Sequence, residues 1–91
     1  MCTISINRLL IDNDYPTAGS ILYDQIIANY DCEDYFNLDL KDVEMLPPMF
    51  LNTSLGKLIK EKGKTSLKKI RFINLTKTQA DRIKDYVNKI S

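Results

Sequence analysis

Ninety-one residues, 44% hydrophobic and 27% charged with a net charge of +1, set the scale of one small globular domain. That balance commits the chain to neither a nucleic acid nor an anionic membrane surface. The chain has no histidine, which removes the usual general base, the serine-histidine triads and most zinc and iron sites. Composition therefore points away from an enzyme, a cofactor and a bound metal. Cys2 and Cys32 lie far apart, outside any Cys-x-x-Cys spacing, and read as reduced thiols of a cytoplasmic protein rather than a disulfide framework. The stretch MCTISINRLL lacks the basic start and long apolar run of a secretory leader. No stretch approaches the ~18 apolar residues of a membrane span.

In chain order, residues 3–11 set Ile4 and Ile6 against Ser5 and Asn7, then run Leu9-Leu10-Ile11. The alternation predicts a strand or a short strand pair. Asp12-Asn13-Asp14-Tyr15-Pro16 reads as a turn. Thr17 then caps a helix that begins at Ala18, carries Ile21, Leu22 and Ile26, and runs to the neighbourhood of Tyr30. Beyond the polar residues 31–34, Phe36, Leu38 and Leu40 alternate with polar neighbours as a second strand. Pro47-Pro48 favours an extended approach to a helix bearing Phe50, Leu51, Leu55, Leu58 and Ile59. Gly63 ends that helix in a left-handed conformation. Leu67, Ile70, Phe72, Ile73 and Leu75 mark a last strand region. Thr76 and Gln79 form a capping box at the head of a final helix with Ala80, Ile83, Val87 and Ile90 on one face. The order β-α-β-α-β-α predicts an α/β domain, a small mixed sheet of about three to four strands covered by about three helices.

Several motifs invite a chemical reading. Gly63-Lys64-Thr65 ends like a phosphate loop, but Leu58 stands where that loop needs its first glycine, and a helix ends there instead of beginning. Asp12, Asp14, Asp39 and Asp42 could gather around a divalent cation, yet aspartate is also a common turn former. Residues 31–44 carry a net charge of −5 and residues 57–71 one of +6. The basic stretch, with Lys62, Lys64, Lys68 and Lys69 as its patch, is either a solvated rim or a surface for acidic partners or phosphates. Nucleic-acid binding wants aromatics interleaved with such bases, and in the sequence only Phe72 is near. The five tyrosines are too scattered along the chain for a stacking platform and read as half-buried edges with wet hydroxyls.

The informative stretch is 38–58. Leu38-Asp39-Leu40, Val43, Glu44 and Leu46 are similar to the strand-turn-helix unit of STAS domains, the fold of bacterial anti-sigma factor antagonists. Pro48-Met49-Phe50-Leu51-Asn52, with Gly56 and Leu58, resembles the helix start of a STAS-like family of domains of unknown function. The downstream strand 69–75 and the capped final helix resemble that family too. In the antagonists, a serine at the start of this helix is phosphorylated by a partner kinase of the histidine-kinase-like ATPase class. Here Pro47, Pro48 and Met49 occupy that place, so the usual phosphoacceptor is missing. Thr53 and Ser54, one helical turn later, are the remaining candidates.

The resemblance implies a non-enzymatic regulatory module that docks a protein partner, a histidine-kinase-like ATPase, through Pro47, Pro48, Met49, Phe50, Asn52 and Thr53. Met49 would be the adaptable apolar contact, the prolines a pre-ordered loop, and Asn52 and Thr53 polar anchors. The alternative is an accessory protein that binds nucleic acid or a small ligand through the basic 57–71 region. Oligomeric state stays open, since an edge strand near residues 3–11 could pair with its own copy.

Overall fold

The computed structural model describes residues 2–90, the side chain of Cys2 excepted. Three strands, β1 (Cys2–Ser5), β2 (Phe36–Asp39) and β3 (Ile70–Ile73), form one sheet in the order β1-β2-β3. Both pairings are parallel, and each strand faces the residue thirty-four positions further on: Ile4 opposes Leu38, which opposes Phe72. The sheet is therefore parallel throughout rather than mixed, because each strand returns through a helical crossover and none through a hairpin.

Five α-helices are present among the described residues: α1 (Ile6–Asp12), α2 (Tyr15–Ala28), α3 (Pro48–Leu51), α4 (Lys57–Lys62) and α5 (Lys77–Lys89). The first was expected as strand. The Ser5 hydroxyl accepts from the Arg8 amide at 3.3 Å and caps the turn. Ile6, Leu9 and Leu10, at helical spacing, then turn toward the core and leave Ile11 exposed. Helix α2 starts three residues earlier than expected. Asp14 is its cap, accepting from the Thr17 amide at 2.9 Å, and Pro16 sits in the first turn, where its missing N–H costs nothing.

The second crossover is one rod over 48–62 in which a π-helical turn, Asn52–Gly56, joins α3 to α4. Gly63 closes the rod at φ 83°, the positive φ its position predicted, but with ψ 169° it is extended there and not left-handed helical. A 3₁₀ turn, Lys64–Lys69, then leads into β3, so Leu67 lies outside the strand. Thr76 and Gln79 form the expected capping box.

One face of the sheet, carrying Ile4, Phe36, Leu38 and Ile70, packs under α2 and the rod together with Leu22, Ile26, Leu55 and Leu58. On the other face Thr3, Ser5, Arg71 and Ile73 are exposed, and Asn37 and Asp39 are half-buried. Helix α2 and the rod approach closely at Gly19. A Cβ built on Gly19 would lie 2.6 Å from the Phe50 carbonyl oxygen and collide with Thr53 Oγ1, so Gly19 is there to let two backbones meet. No helix among the described residues is long and apolar enough to cross a membrane.

Candidate docking site on the loop and rod

The loop after β2 is fixed from below. Leu40 donates its amide to the Ile73 carbonyl at 3.0 Å, and Val43 donates to Leu40 at 3.1 Å. Val43 and Leu46 are buried, and Gln79 Nε2 of α5 donates to the Val43 carbonyl at 2.5 Å. Asp39 Oδ1 accepts from Asn74 Nδ2 at 2.8 Å and from the Lys41 amide at 3.0 Å. The Asn74 bond first, and the Lys41 amide second, hold the Asp39 carboxyl below the usual carboxylate range. Asn74 and Asp42 adopt positive φ, 56° and 65°, which Asn and Asp tolerate best among residues with a side chain.

On this base the loop presents Met45, 57% exposed, and the first turn of the rod presents Met49, 52% exposed. Pro47, extended at φ −69° and ψ 156°, and Pro48 lie between them. Pro48 brings no N–H and Pro47 no side-chain cap. This helix start thus offers fewer amide donors to a phosphate than an ordinary one. Asn52 is exposed, and its Oδ1 accepts from the Tyr86 hydroxyl at 2.6 Å.

Two expected contact residues are placed otherwise. Phe50 is 3% exposed and belongs to the core with Leu51 and Leu55, so it has almost no surface to offer a partner. Thr53 is half-buried, and its hydroxyl donates to the Met49 and Phe50 carbonyls at 3.1 and 3.2 Å. It is spent on its own helix and on the contact with Gly19. Ser54 is 0% exposed, with Oγ donating to the Phe50 carbonyl at 2.7 Å. Burial removes Ser54 as a phosphoacceptor in the folded domain, and Thr53 offers no free hydroxyl.

The basic patch is dispersed. Lys69 Nζ lies 4.4 Å from the centre of the Tyr30 ring. It also donates to the Tyr30 carbonyl and, at 2.9 Å, to that of Glu33. Lys62 stands over the same ring at 5.1 Å, Lys57 over Tyr23 at 4.6 Å, and the Arg71 guanidinium over Tyr35 at 3.7 Å. Lys64 and Lys68 remain exposed. Tyr23, Tyr30 and Tyr35, three of the tyrosines that looked scattered in sequence, thus each lie beside a cation. Only contacts between distant residues create this arrangement, so no local signal foretells it.

Among the described residues, no three of cysteine, aspartate or glutamate come together as a metal site. Asp14 is a helix cap and Asp42 a turn residue. Cys32 is free and exposed, while the side chain of Cys2 lies outside the described residues.

Residues 18–80 match the family of the STAS-like domain of unknown function (DUF4325), a span that includes the loop and the whole rod. The chain belongs to this family. No curated protein and no solved structure matches it. In this STAS-like domain, sequence reasoning missed Met45 and Tyr86. Met45 carried no clear signal, because Val43, Met45 and Leu46 are alike apolar and only the fold buries 43 and 46. Tyr86 carried none, because its partner Asn52 is 34 residues away.

Proposed function

We propose that this STAS-like domain is a non-enzymatic regulatory module that binds a partner protein through the loop 41–47 and the outer side of the first turn of the rod. The observation that carries the reading is the pair Met45 and Met49. Both are more than half exposed, on either side of two prolines, Met45 on a loop pinned by buried Val43 and Leu46 and Met49 on the first turn of the rod. Exposed methionines on a rigid support make an adaptable apolar contact at little ordering cost. The surface lies beyond the carboxyl ends of the strands, where open α/β sheets place their binding residues. The STAS resemblance makes a histidine-kinase-like ATPase the partner class, with docking retained and the serine phosphoswitch absent.

The basic 57–71 region supports a nucleic-acid or small-ligand role less well. Lys57, Lys62, Lys69 and Arg71 already face tyrosine rings, and Lys69 is held by two carbonyls.

The test is affinity capture from native lysate with ATP or ADP present, comparing the unaltered chain with Met49→Asp. A histidine-kinase-like ATPase recovered by the unaltered chain alone supports the reading. Identical recoveries for both proteins, or nucleic acid in place of protein, overturn it. Met49→Asp is expected to change stability by less than about 0.5 kcal/mol, as an exposed substitution. Unfolding by that change would make Met49 a core residue and misplace the interface.

A further inference from the structure

Helix α5 touches the rod through Tyr86, whose hydroxyl donates to Asn52 Oδ1 at 2.6 Å. The ring end lies against Gly56 in the π-helical turn, where a Cβ would collide with that hydroxyl and stand 3.3 Å from the Leu51 carbonyl oxygen. Tyr86 divides the space between rod and α5 into two open grooves. One, of about 660 Å³, has Ile59 and Ile90 on its walls with Lys57 and Lys60 beside them. The other, of about 390 Å³, is floored by Leu46, Pro48 and Leu51 and rimmed by Arg82, Asp85 and Lys89. Ile90 lines both and is 40% exposed.

The charges around these floors are one-sided. Lys60, Arg82 and Lys89 form no ion pair among the described residues. Asp85 is the single acid on either rim. Apolar floors with unpaired cations at their edges complement a ligand that is apolar at its centre and acidic at its margins. A phosphate chain suits them poorly. The floors are apolar and Pro48 withholds an amide.

We propose that the grooves on the two sides of Tyr86 receive an acidic amphipathic helix of a partner protein, one apolar anchor in each groove and its carboxylates toward Lys60, Arg82 and Lys89. The proposal rests on the docking reading above, with which it shares Pro48 and Asn52, and it names the chemistry of the bound segment.

The test uses the purified chain and a fluorescein-labelled synthetic peptide of about 16 residues, long enough to hold a helix, with leucines on one face and glutamates elsewhere. Fluorescence anisotropy and amide chemical shifts report binding. Binding that weakens with added salt is expected, with the largest shifts at Gly56, Ile59 and Ile90. Lys60→Glu with Arg82→Glu should weaken it by about tenfold. The same peptide with lysine for glutamate should prefer that double variant. Ile11→Asp should leave the affinity unchanged, because Ile11 is exposed on α1 and lines neither groove.

Absence of binding, equal affinity for both peptides, or shifts confined to other surfaces overturn the proposal. So does displacement of the Lys60 and Arg82 signals by oligothymidylate instead of the peptide. If the peptide fails while lysate capture is still lost in Met49→Asp, the docking reading stands and the groove assignment falls. Peptide binding without Met49-dependent capture has the converse meaning.

Discussion

The two ends of the sheet handle their side chains in opposite ways. At the amino ends of the strands, where α2 and α4 finish and the 3₁₀ turn begins, three of the cations are engaged internally, while Lys64 and Lys68 stay exposed. Lys69 reaches the carbonyls of Tyr30 and Glu33, Lys62 shares the Tyr30 ring, and Arg71 covers Tyr35. At the carboxyl ends, the backbone is just as firmly tied, through Asp39, Asn74, Val43 and Gln79, but Met45 and Met49 are left outside. A strong local charge, at the first end, marks structure. Apolar side chains left out by a well-fixed backbone, at the second, are what the docking proposal rests on.

Substitutions can break or sharpen this contrast. The largest effect belongs to neither end. Leu58→Ala empties a fully buried position on the inner face of the rod, and should cost about 2–5 kcal/mol in urea unfolding. Gly19→Ala comes next. It forces a methyl group against the Phe50 carbonyl and Thr53, and should cost about 1–3 kcal/mol while displacing the rod that carries Met49. A crystal structure of that variant with the rod unmoved would mean the contact is softer than its geometry implies. Lys69→Met keeps the length of the stem but deletes the ammonium from two carbonyls and a ring, and about 1 kcal/mol should be lost. Equal stability of Lys69→Met and the unaltered chain would erase the distinction between the two ends.

The smallest effect is a pH dependence. The carboxyl of Asp39 is held down in the folded chain by Asn74 and the Lys41 amide, relative to an unfolded value of about 3.9. Its contribution is present above that value and is lost as pH falls through the lowered one. Asp39→Asn retains an oxygen to accept both bonds but does not titrate. Its melting temperature should therefore fall less steeply than that of the unaltered chain between about pH 4 and pH 2. Parallel curves would assign the acid sensitivity to other carboxylates, Asp14 first, since its bonds with Thr17 lower it in the same way.

What could be read from the sequence was what neighbours in the chain decide. The Thr76–Gln79 box, the Gly63 ending and the alternation at 36–39 need no distant partner, and all three are found in place. Leu9-Leu10-Ile11 misled because three apolar residues in a row fit a strand as well as a helix. Ser5, a cap immediately before Ile6, held the missing information. Asp14 held it for α2, hidden in a stretch that also looks like a turn. The π-helical turn, the buried Ser54 and the outward Tyr86 depend on how α2, the rod and α5 meet. At the candidate site the sequence offered Met49 and Phe50 alike as contacts, and only the packing of the rod separates the exposed first from the buried second.

The constant register of the sheet has a kinetic consequence. Because β1 meets β2 and β2 meets β3 at the same separation in sequence, the two pairings close loops of equal length and lose nearly equal chain entropy. Neither strand pair has a head start, and both are non-local, which places the chain among slower folders than its size and helix content suggest. The order of assembly then passes to the helices, where the Gly19 contact joins the first loop to the second.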